Sequence, residues 1–499
     1  MTKDWPVRAL ILRGVMEPIR SLDALFPDRS STEPLGRQLT RKMRQAIESG
    51  ELRAASRLLP SREMALRLGL ARNTVVAAIE QLVAEGYLES RVGAGTFVAP
   101  KRKGRQKTSV PPTPASARRL REFATAPVFA ATLPAPLPTP NDALRSGIPD
   151  VRAFPINAWN RLSRRHLHHL PDYLSYGDPK GYRALREAIS QHLRQFRRVA
   201  SERRNVIIVE GTQAALALVA RVLVNAGDRI LLEDPCYGAV RRMFAAHGSL
   251  LVPLPVDEDG LDADAAPPAR LAFVAPSHQY PLGGAMSLTR REALLRWAAR
   301  HDAYVLEDDY DSEFSYAARP LPALQSLDRA ERVIYIGTFS KTLAPGLRVG
   351  YLIVPEHLRE CFAIARSLES HGCATLDQAI LAEFVAQGHF ARHVRRMTGL
   401  YARRRERLLQ RVTGSLPHGF TLGPSKTGLH VALRAPSGFD DASVVAQAAR
   451  EGLHLEPLST LCVARQDCSG FVLGYASRDI DDLTAATEHA LRLIASASL

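Results

Sequence analysis

The stretch Val333-Ile334-Tyr335-Ile336-Gly337-Thr338-Phe339-Ser340-Lys341, continued by Pro345-Gly346-Leu347-Arg348-Val349-Gly350-Tyr351, decides the reading of this 499-residue chain. Its first four residues are apolar and end at Gly337, the pattern of a short strand buried in a sheet. Beyond the strand stand the hydroxyl of Thr338, the amine of Lys341 and, seven residues further on, the guanidinium of Arg348. An amine just after a strand suits a Schiff base with an aldehyde, and an arginine beside it suits a phosphate, which it can meet with two parallel hydrogen bonds.

Working outward, similar apolar runs occur at Val206-Ile207-Ile208-Val209, Arg229-Ile230-Leu231-Leu232, Leu271-Ala272-Phe273-Val274 and Tyr304-Val305-Leu306, with helical patterns between them from Leu144 onward. This alternation predicts an α/β domain around a mainly parallel sheet. Such sheets build their sites at the carboxyl ends of strands. Asp308 and Tyr310 follow the run at 304–306, where a carboxylate can keep a ring nitrogen protonated and a phenol can hydrogen-bond a ring oxygen. Gly211, Thr212 and Gln213 stand where the run at 206–209 passes into a helix, so their backbone amides can cradle a phosphate. Tyr237, after Glu233-Asp234-Pro235-Cys236, offers a ring for stacking. From about Gly388 a long charged helix leads to strand candidates at 429–433 and 471–475, a smaller α+β subdomain.

The N-terminal part reads differently. Leu35, Leu39, Met43 and Ile47 recur every fourth residue, and Gly50 is placed to end that helix. Ser61 is expected to cap a second helix carrying Met64, Ala65 and Leu68 and broken by Gly69. A third helix follows, with Val75, Ile79, Leu82 and Val83 inward and Arg72, Asn73 and Thr74 on its exposed first turn. The segments 87–91 and 96–98 flank Val92-Gly93-Ala94-Gly95 and predict a two-stranded wing. In a winged helix-turn-helix the first turn of the third helix enters the major groove, and a glycine-bearing wing approaches the backbone closely.

The net charge of +15 favours a polyanionic partner. Five scattered cysteines, Cys236, Cys361, Cys373, Cys462 and Cys468, without a Cys-x-x-Cys pair, write neither a disulfide framework nor a zinc site and fit a reducing cytoplasm. No metal site is expected. His166, His168 and His169 lack a second ligand cluster and read as helix-surface residues, His389 and His393 as packing residues, and Cys236 as a small buried thiol. With no long uncharged apolar run, a membrane span is not expected. After Pro100, Lys101, Arg102, Lys103, Arg105 and Lys107 open a stretch rich in Pro and Ala that runs to about Pro140 and reads as a linker. The expected organisation is a DNA-binding module at 32–99, a linker at 100–143 and a large domain at 144–499, with its small subdomain from about 388.

Two sets of residues carry a resemblance. Leu59-Pro60-Ser61-Arg62-Glu63-Met64-Ala65, Ala71-Arg72-Asn73-Thr74-Val75 and Glu85-Gly86-Tyr87-Leu88 through Gly93-Ala94-Gly95-Thr96-Phe97-Val98 resemble the GntR-type winged helix. The resemblance implies DNA contacts from Arg62, Arg72, Asn73, Thr74 and Gly93; Ala71 replaces the usual Ser, and Ala55 stands where a turn usually has Gly. The segments 275–281, 307–314, 337–351 and 388–397 resemble fold-type I aminotransferases, and the two parts together resemble the MocR/GabR family. This implies pyridoxal 5'-phosphate (PLP) as cofactor, with Lys341 as its Schiff-base lysine, Asp308 at the ring nitrogen, Tyr310 at the ring oxygen and Tyr237 stacked on the ring. It further implies Thr212, Gln213, Thr338 and Arg348 as phosphate ligands. Tyr176 would reach the phosphate of a neighbouring subunit, so a head-to-tail, domain-swapped homodimer is implied.

Two functions remain open at this stage: a PLP-dependent regulator of transcription on double-stranded DNA, sensing an amine, an amino acid or PLP itself, and an aminotransferase that carries a DNA-binding module. Val472 stands where many relatives of the second kind place an arginine for the substrate carboxylate, which favours the regulator; Arg465 is the candidate substitute.

Overall fold

The computed structural model describes residues 25–91, 93–100, 143–316, 322–465 and 467–498, so most of the expected linker and its basic cluster lie outside the described residues. The described residues form two compact units, one before and one after the stretch 101–142.

The first unit holds helices α1 (Leu35–Ser49), α2 (Ser61–Leu68) and α3 (Arg72–Ala84) and the hairpin β1 (Leu88–Arg91) with β2 (Gly95–Val98). The periodic residues Leu39, Met43, Ile47, Met64, Leu68, Val75, Ile79 and Leu82 close one apolar core with Leu88 and Val98. Gly50 ends α1 at φ +85, a backbone angle that only glycine adopts without strain. Ser61 is not a cap. Pro60 precedes α2 in extended geometry, and Ser61 is already helical and accepts no capping hydrogen bond. Val83, expected inside, is only partly buried. Ala55 occupies its turn at φ +64 and donates its backbone N–H to Val98 at 2.9 Å.

In the second unit, α4 (Ile156–Leu167) and α5 (Arg183–Phe196) precede a sheet built from β3 (Val206–Val209), β4 (Arg229–Asp234), β5 (Leu250–Asp257), β6 (Gly260–Leu261), β7 (Leu271–Val274), β8 (Tyr304–Asp309), β9 (Val333–Thr338) and β10 (Gly350–Ile353). The strand order is β3-β10-β9-β8-β7-β4-β5-β6. The pairings β4–β5, β4–β7, β7–β8 and β8–β9 are parallel, whereas β10 runs antiparallel to both neighbours. The stretch from Phe339 to Val349 returns directly to the adjacent edge of β9 and is too short for a crossover helix, which forces the reversal. Both faces are covered. Ile207, Val209, Leu306 and Ile336 pack on one side, with α6 (Thr212–Leu223), α7 (Gly238–Ala246) and α9 (Arg359–Ser370). Val206, Ile208, Tyr335 and Tyr351 pack on the other, with α5 and α10 (Thr375–Ala386). Continuous apolar strands of this kind are what a doubly covered sheet requires. Helix α8 (Leu288–Arg300) seals a third cluster around Trp297.

Helix α11 (His389–Gly414) leads to the small subdomain, a four-stranded antiparallel sheet in the order β11 (Thr421–Leu422), β12 (His430–Arg434), β14 (Gly470–Gly474), β13 (Glu456–Pro457). Helices α12 (Asp441–Arg450) and α13 (Ile480–Ala497) complete it around Leu433, Val444, Phe471 and Ile494. Among the described residues no helix is long and apolar enough to cross a membrane.

Candidate cofactor cavity and DNA-contacting face

Parallel strands deliver their carboxyl ends to one edge of the sheet, and β3, β8 and β9 all end there. A cavity of about 500 Å³ lies at these ends, lined by Thr212, Gln213, Tyr237, Asp308, Tyr310, Thr338, Lys341 and Arg348. Every side chain assigned to a cofactor from the sequence is in that lining except Gly211 and Tyr176. Gly211 caps α6 at φ +101, and a Cβ there would lie 3.6 Å from the Arg348 guanidinium. Tyr176 is 88% exposed and packs on His371, outside the cavity. A wider surface depression at Tyr316, Arg405 and Leu409 shares no residue with the cavity.

Asp308 and Asp309 close β8 and, as neighbours in a strand, face opposite sides of the sheet. Asp309 is engaged through Oδ2, to which Arg197 Nε donates at 2.8 Å and Tyr335 Oη at 2.6 Å, while its Oδ1 is buried without a partner. Among the described residues no hydrogen bond reaches Asp308. Its Oδ1 is buried without a hydrogen-bond partner, and burial, with Asp309 adding repulsion, pushes its carboxyl up to about 7. A buried acceptor left alone costs about 1–3 kcal/mol, so this position asks for a donor, preferably a cationic N–H. Lys341 Nζ donates to the Gly147 carbonyl at 2.7 Å. Burial holds its ammonium below the usual lysine range, with Asp311, Asp308 and Glu456 pulling the other way. A lysine disposed to lose its proton is the form that attacks a carbonyl carbon.

The polar corner beside Lys341 is compact. Thr338 Oγ1 donates to Ser340 Oγ at 3.0 Å and accepts from the Ser340 N–H at 3.1 Å. A Cβ on Gly350 would come within 2.9 Å of the Gly211 Cα, so β10 lies directly against the start of α6. Hydroxyls, Arg348 and a helix N-terminus together fit a phosphate. Gln213 Nε2 donates to Tyr237 Oη at 3.4 Å, and the Tyr237 ring meets Tyr280 edge-on at 6.0 Å. An unpaired carboxyl, a depressed lysine and a phosphate-shaped corner in one cavity are the donor set that PLP fits.

Sequence reasoning missed other parts of the lining, among them Arg145, Ser146, Gly147, Tyr280, His430, His454 and Glu456. It also missed the support behind Tyr310. That hydroxyl donates to the His278 carbonyl at 2.9 Å, and His278 Nδ1 pairs with Asp311 at 3.0 Å, with the His430 ring tilted against His278. Burial lowers His430 well below the usual histidine range. The quoted segment 275–281 held His278 and Tyr280, but nothing local told their contacts. Arg465 is absent from the lining; its guanidinium pairs with Asp467 at 2.9 Å. Val472 packs with Ala432, Leu458 and Leu461. His166 pairs with Glu383 and Tyr173, His393 is buried and lowered to about 4 by that burial, and the buried Cys236 thiol is pushed up to about 12.

On the first unit, Arg62 stands exposed on α2, Arg72 and Asn73 stand exposed at the start of α3, and Thr74 is half-buried beside them. Gly93 is exposed at the wing tip with φ +74. Ala71 provides no side-chain cap for α3. Two further cations flank the wing. Arg57 runs beneath Gly95, where a Cβ would meet its Nε at 2.9 Å, and Arg91 lies over the Phe97 ring at 4.7 Å.

Comparison with known proteins agrees with both halves. Residues 144–463 match the aminotransferase class I and II family, and residues 35–98 match the bacterial regulatory proteins of the gntR family. The chain is 39% identical to the probable rhizopine catabolism regulatory protein MocR of Rhizobium meliloti over 91% of this chain and 92% of that one. It is 33% identical to the pyridoxine biosynthesis transcriptional regulator PdxR of Corynebacterium glutamicum over 92% and 95%. Among solved structures, the multiple substrate aminotransferase of Thermococcus profundus superposes with a TM-score of 0.68 at 26% identity, over 76% of this chain and 99% of that one. The chain therefore belongs to the MocR family, in which a gntR-type winged helix is joined to a PLP-binding aminotransferase fold.

Proposed function

We propose that this protein regulates transcription by binding promoter DNA through its winged helix, and that the cavity at Lys341 is its sensor. Asp308 carries the reading. A buried carboxyl without a partner, in the same cavity as a depressed lysine, is a poor arrangement for an empty pocket and a good one for a ring nitrogen that brings its own proton. When bound, PLP supplies an aldehyde carbon that links to amines. Lys341 would hold that carbon, Asp308 would keep the ring nitrogen protonated, Tyr310 would turn its one hydroxyl hydrogen from the His278 carbonyl to the ring oxygen, and Tyr237 would cover the ring face. Thr212, Gln213, Thr338, Arg348 and the Gly211 turn hold the phosphate.

The effector is an amine, an amino acid or PLP itself. Its contacts reach the small subdomain through His430, His454 and Glu456, so occupancy favours the conformation in which those contacts are best made. DNA affinity follows that shift. Arg62, Arg72, Asn73, Thr74 and Gly93 meet the duplex. The protein acts in the cytoplasm as a homodimer, head-to-tail and domain-swapped, and the exposure of Tyr176 supports its reaching a neighbouring subunit. Regulation is favoured over aminotransferase turnover by the apolar setting of Val472 and by the pairing of Arg465 with Asp467. The test is direct: purified protein should be yellow, and borohydride should bleach it while fixing the cofactor on Lys341. Colourless protein that takes up no added cofactor would refute the reading.

A further inference from the structure

The cavity has two unlike walls. The large sheet provides Lys341, Asp308, Thr338 and Arg348, each matched to a part of the cofactor. The second wall, which the cofactor does not use, comes from the small subdomain and the segment 145–148, and at its centre is an acid.

Glu456 lies on β13 directly opposite Val472 on β14. Val472 is fully buried among Ala432, Leu458 and Leu461, behind the cavity lining, and Tyr280 packs against that cluster, so no cation stands opposite Glu456 on β14. Ser146 Oγ donates to Glu456 Oε2 at 2.5 Å and lies 3.0 Å from Tyr280 Oη. A serine hydroxyl has one hydrogen. Ser146 gives it to Glu456, and Tyr280 has its own hydrogen to give to Ser146 or to the carboxylate itself, so two neighbouring hydroxyls converge on Glu456. Among the described residues no ion pair engages Glu456, although its charge acts on both Lys341 and Tyr280. Arg145 is the remaining cation on this wall, on the same segment as Ser146.

Resting on the assignment of PLP to Lys341, we infer that the effector is a primary amine without a carboxylate, bearing a second hydrogen-bond donor, hydroxyl or ammonium, that Glu456 accepts. A ligand carboxylate placed there would meet the charge of Glu456 with an apolar cluster behind it. A donor would complete the acceptor capacity that Ser146 leaves open. Glu456 is then the residue that determines effector specificity.

The test titrates the holo-protein with four amines that share a two-carbon backbone, ethylamine, ethanolamine, ethylenediamine and glycine, following the visible absorbance. Ethanolamine or ethylenediamine should half-saturate at roughly tenfold lower concentration than ethylamine, the size of one charge-assisted hydrogen bond. Which of the two leads tells hydroxyl from ammonium. Glycine should be the weakest. Glu456→Gln should erase the preference while keeping the holo-spectrum, and Glu456→Asp should restore part of it. Should the Gln variant lose the cofactor, the wild-type ranking decides alone. Glycine in first place, with its advantage lost in Arg145→Ala, would overturn the inference, as would four equal titrations. Either result leaves the cofactor assignment intact, whereas a protein without the yellow band refutes that assignment itself.

Discussion

Arg72 and Asn73 stand in water at the first turn of a helix, whereas Asp308 and Lys341 line a cavity where burial moves both of their proton equilibria. Charges in water are screened and act together: each phosphate contact contributes modestly, and losing one weakens binding without abolishing the face. Charges in a cavity are few and mutually dependent, because each is the other's main source of compensation. The DNA face should therefore degrade gradually under substitution and salt, and the cavity should fail at single residues.

The largest effect is expected at Lys341. Lys341→Ala should remove all borohydride-trappable cofactor, read by mass spectrometry of the labelled peptide, while the winged helix keeps its affinity for non-specific DNA. Next comes the core of the first unit. Leu39 is fully buried, and Leu39→Ala should destabilise that unit by about 2–5 kcal/mol in chemical denaturation, with the absorbance of the holo-domain unchanged. Smaller is Asp308→Asn, which should weaken cofactor binding by about 1–3 kcal/mol in equilibrium titration.

The same variant carries a pH signature. An unfolded aspartate ionises near ~3.9, whereas the folded, cofactor-free protein holds the Asp308 proton up to about 7. The folded state binds that proton more tightly, so this stabilisation is full below the unfolded value and is lost as pH rises through about 7. Thermal melts of cofactor-free protein should show a shallower decline over that range in Asp308→Asn than in the wild type.

On the DNA side, Arg72→Ala should cost about 1–3 kcal/mol of affinity for the DNA flanking its own gene and reduce the salt slope by roughly one, measured by fluorescence anisotropy. The smallest effect is at Ala55, whose φ of +64 is unfavourable for any residue with a Cβ. Ala55→Gly should stabilise the first unit by about 1 kcal/mol or less, since glycine's greater freedom when unfolded offsets part of the relief.

The contrast between the regions also explains what was legible in the sequence. Leu39, Met43 and Ile47 announce their helix by spacing, and Gly50 its end, because both signals are local. Lys341, Thr338 and Arg348 are legible for the same reason: one strand and its return carry all three. The second wall was hidden, because Ser146 and Glu456 meet across 310 residues and neither sits in a recognisable local pattern. His278 and Asp311 are nearer in sequence, yet their pairing depends on how the loops after β7 and β8 fold together. Ser61 failed as a cap because Pro60, already extended, takes the position before the helix. The reversal of β10 was set by the length of its connection, which a list of apolar runs does not weigh. Tyr176 stands exposed outside the cavity, and nothing local to it shows what it meets.

The central claim is that one chain reads DNA with its first unit and that the occupancy of Lys341 changes that reading. The most direct measurement is the affinity of holo-protein for the DNA flanking its gene, with and without the amine that most strongly alters its absorbance, in the wild type and in Lys341→Ala. The account predicts a change of roughly fivefold or more in the wild type and none in the variant. Equal affinities with and without that amine in the wild type, or the same shift in Lys341→Ala, would contradict it.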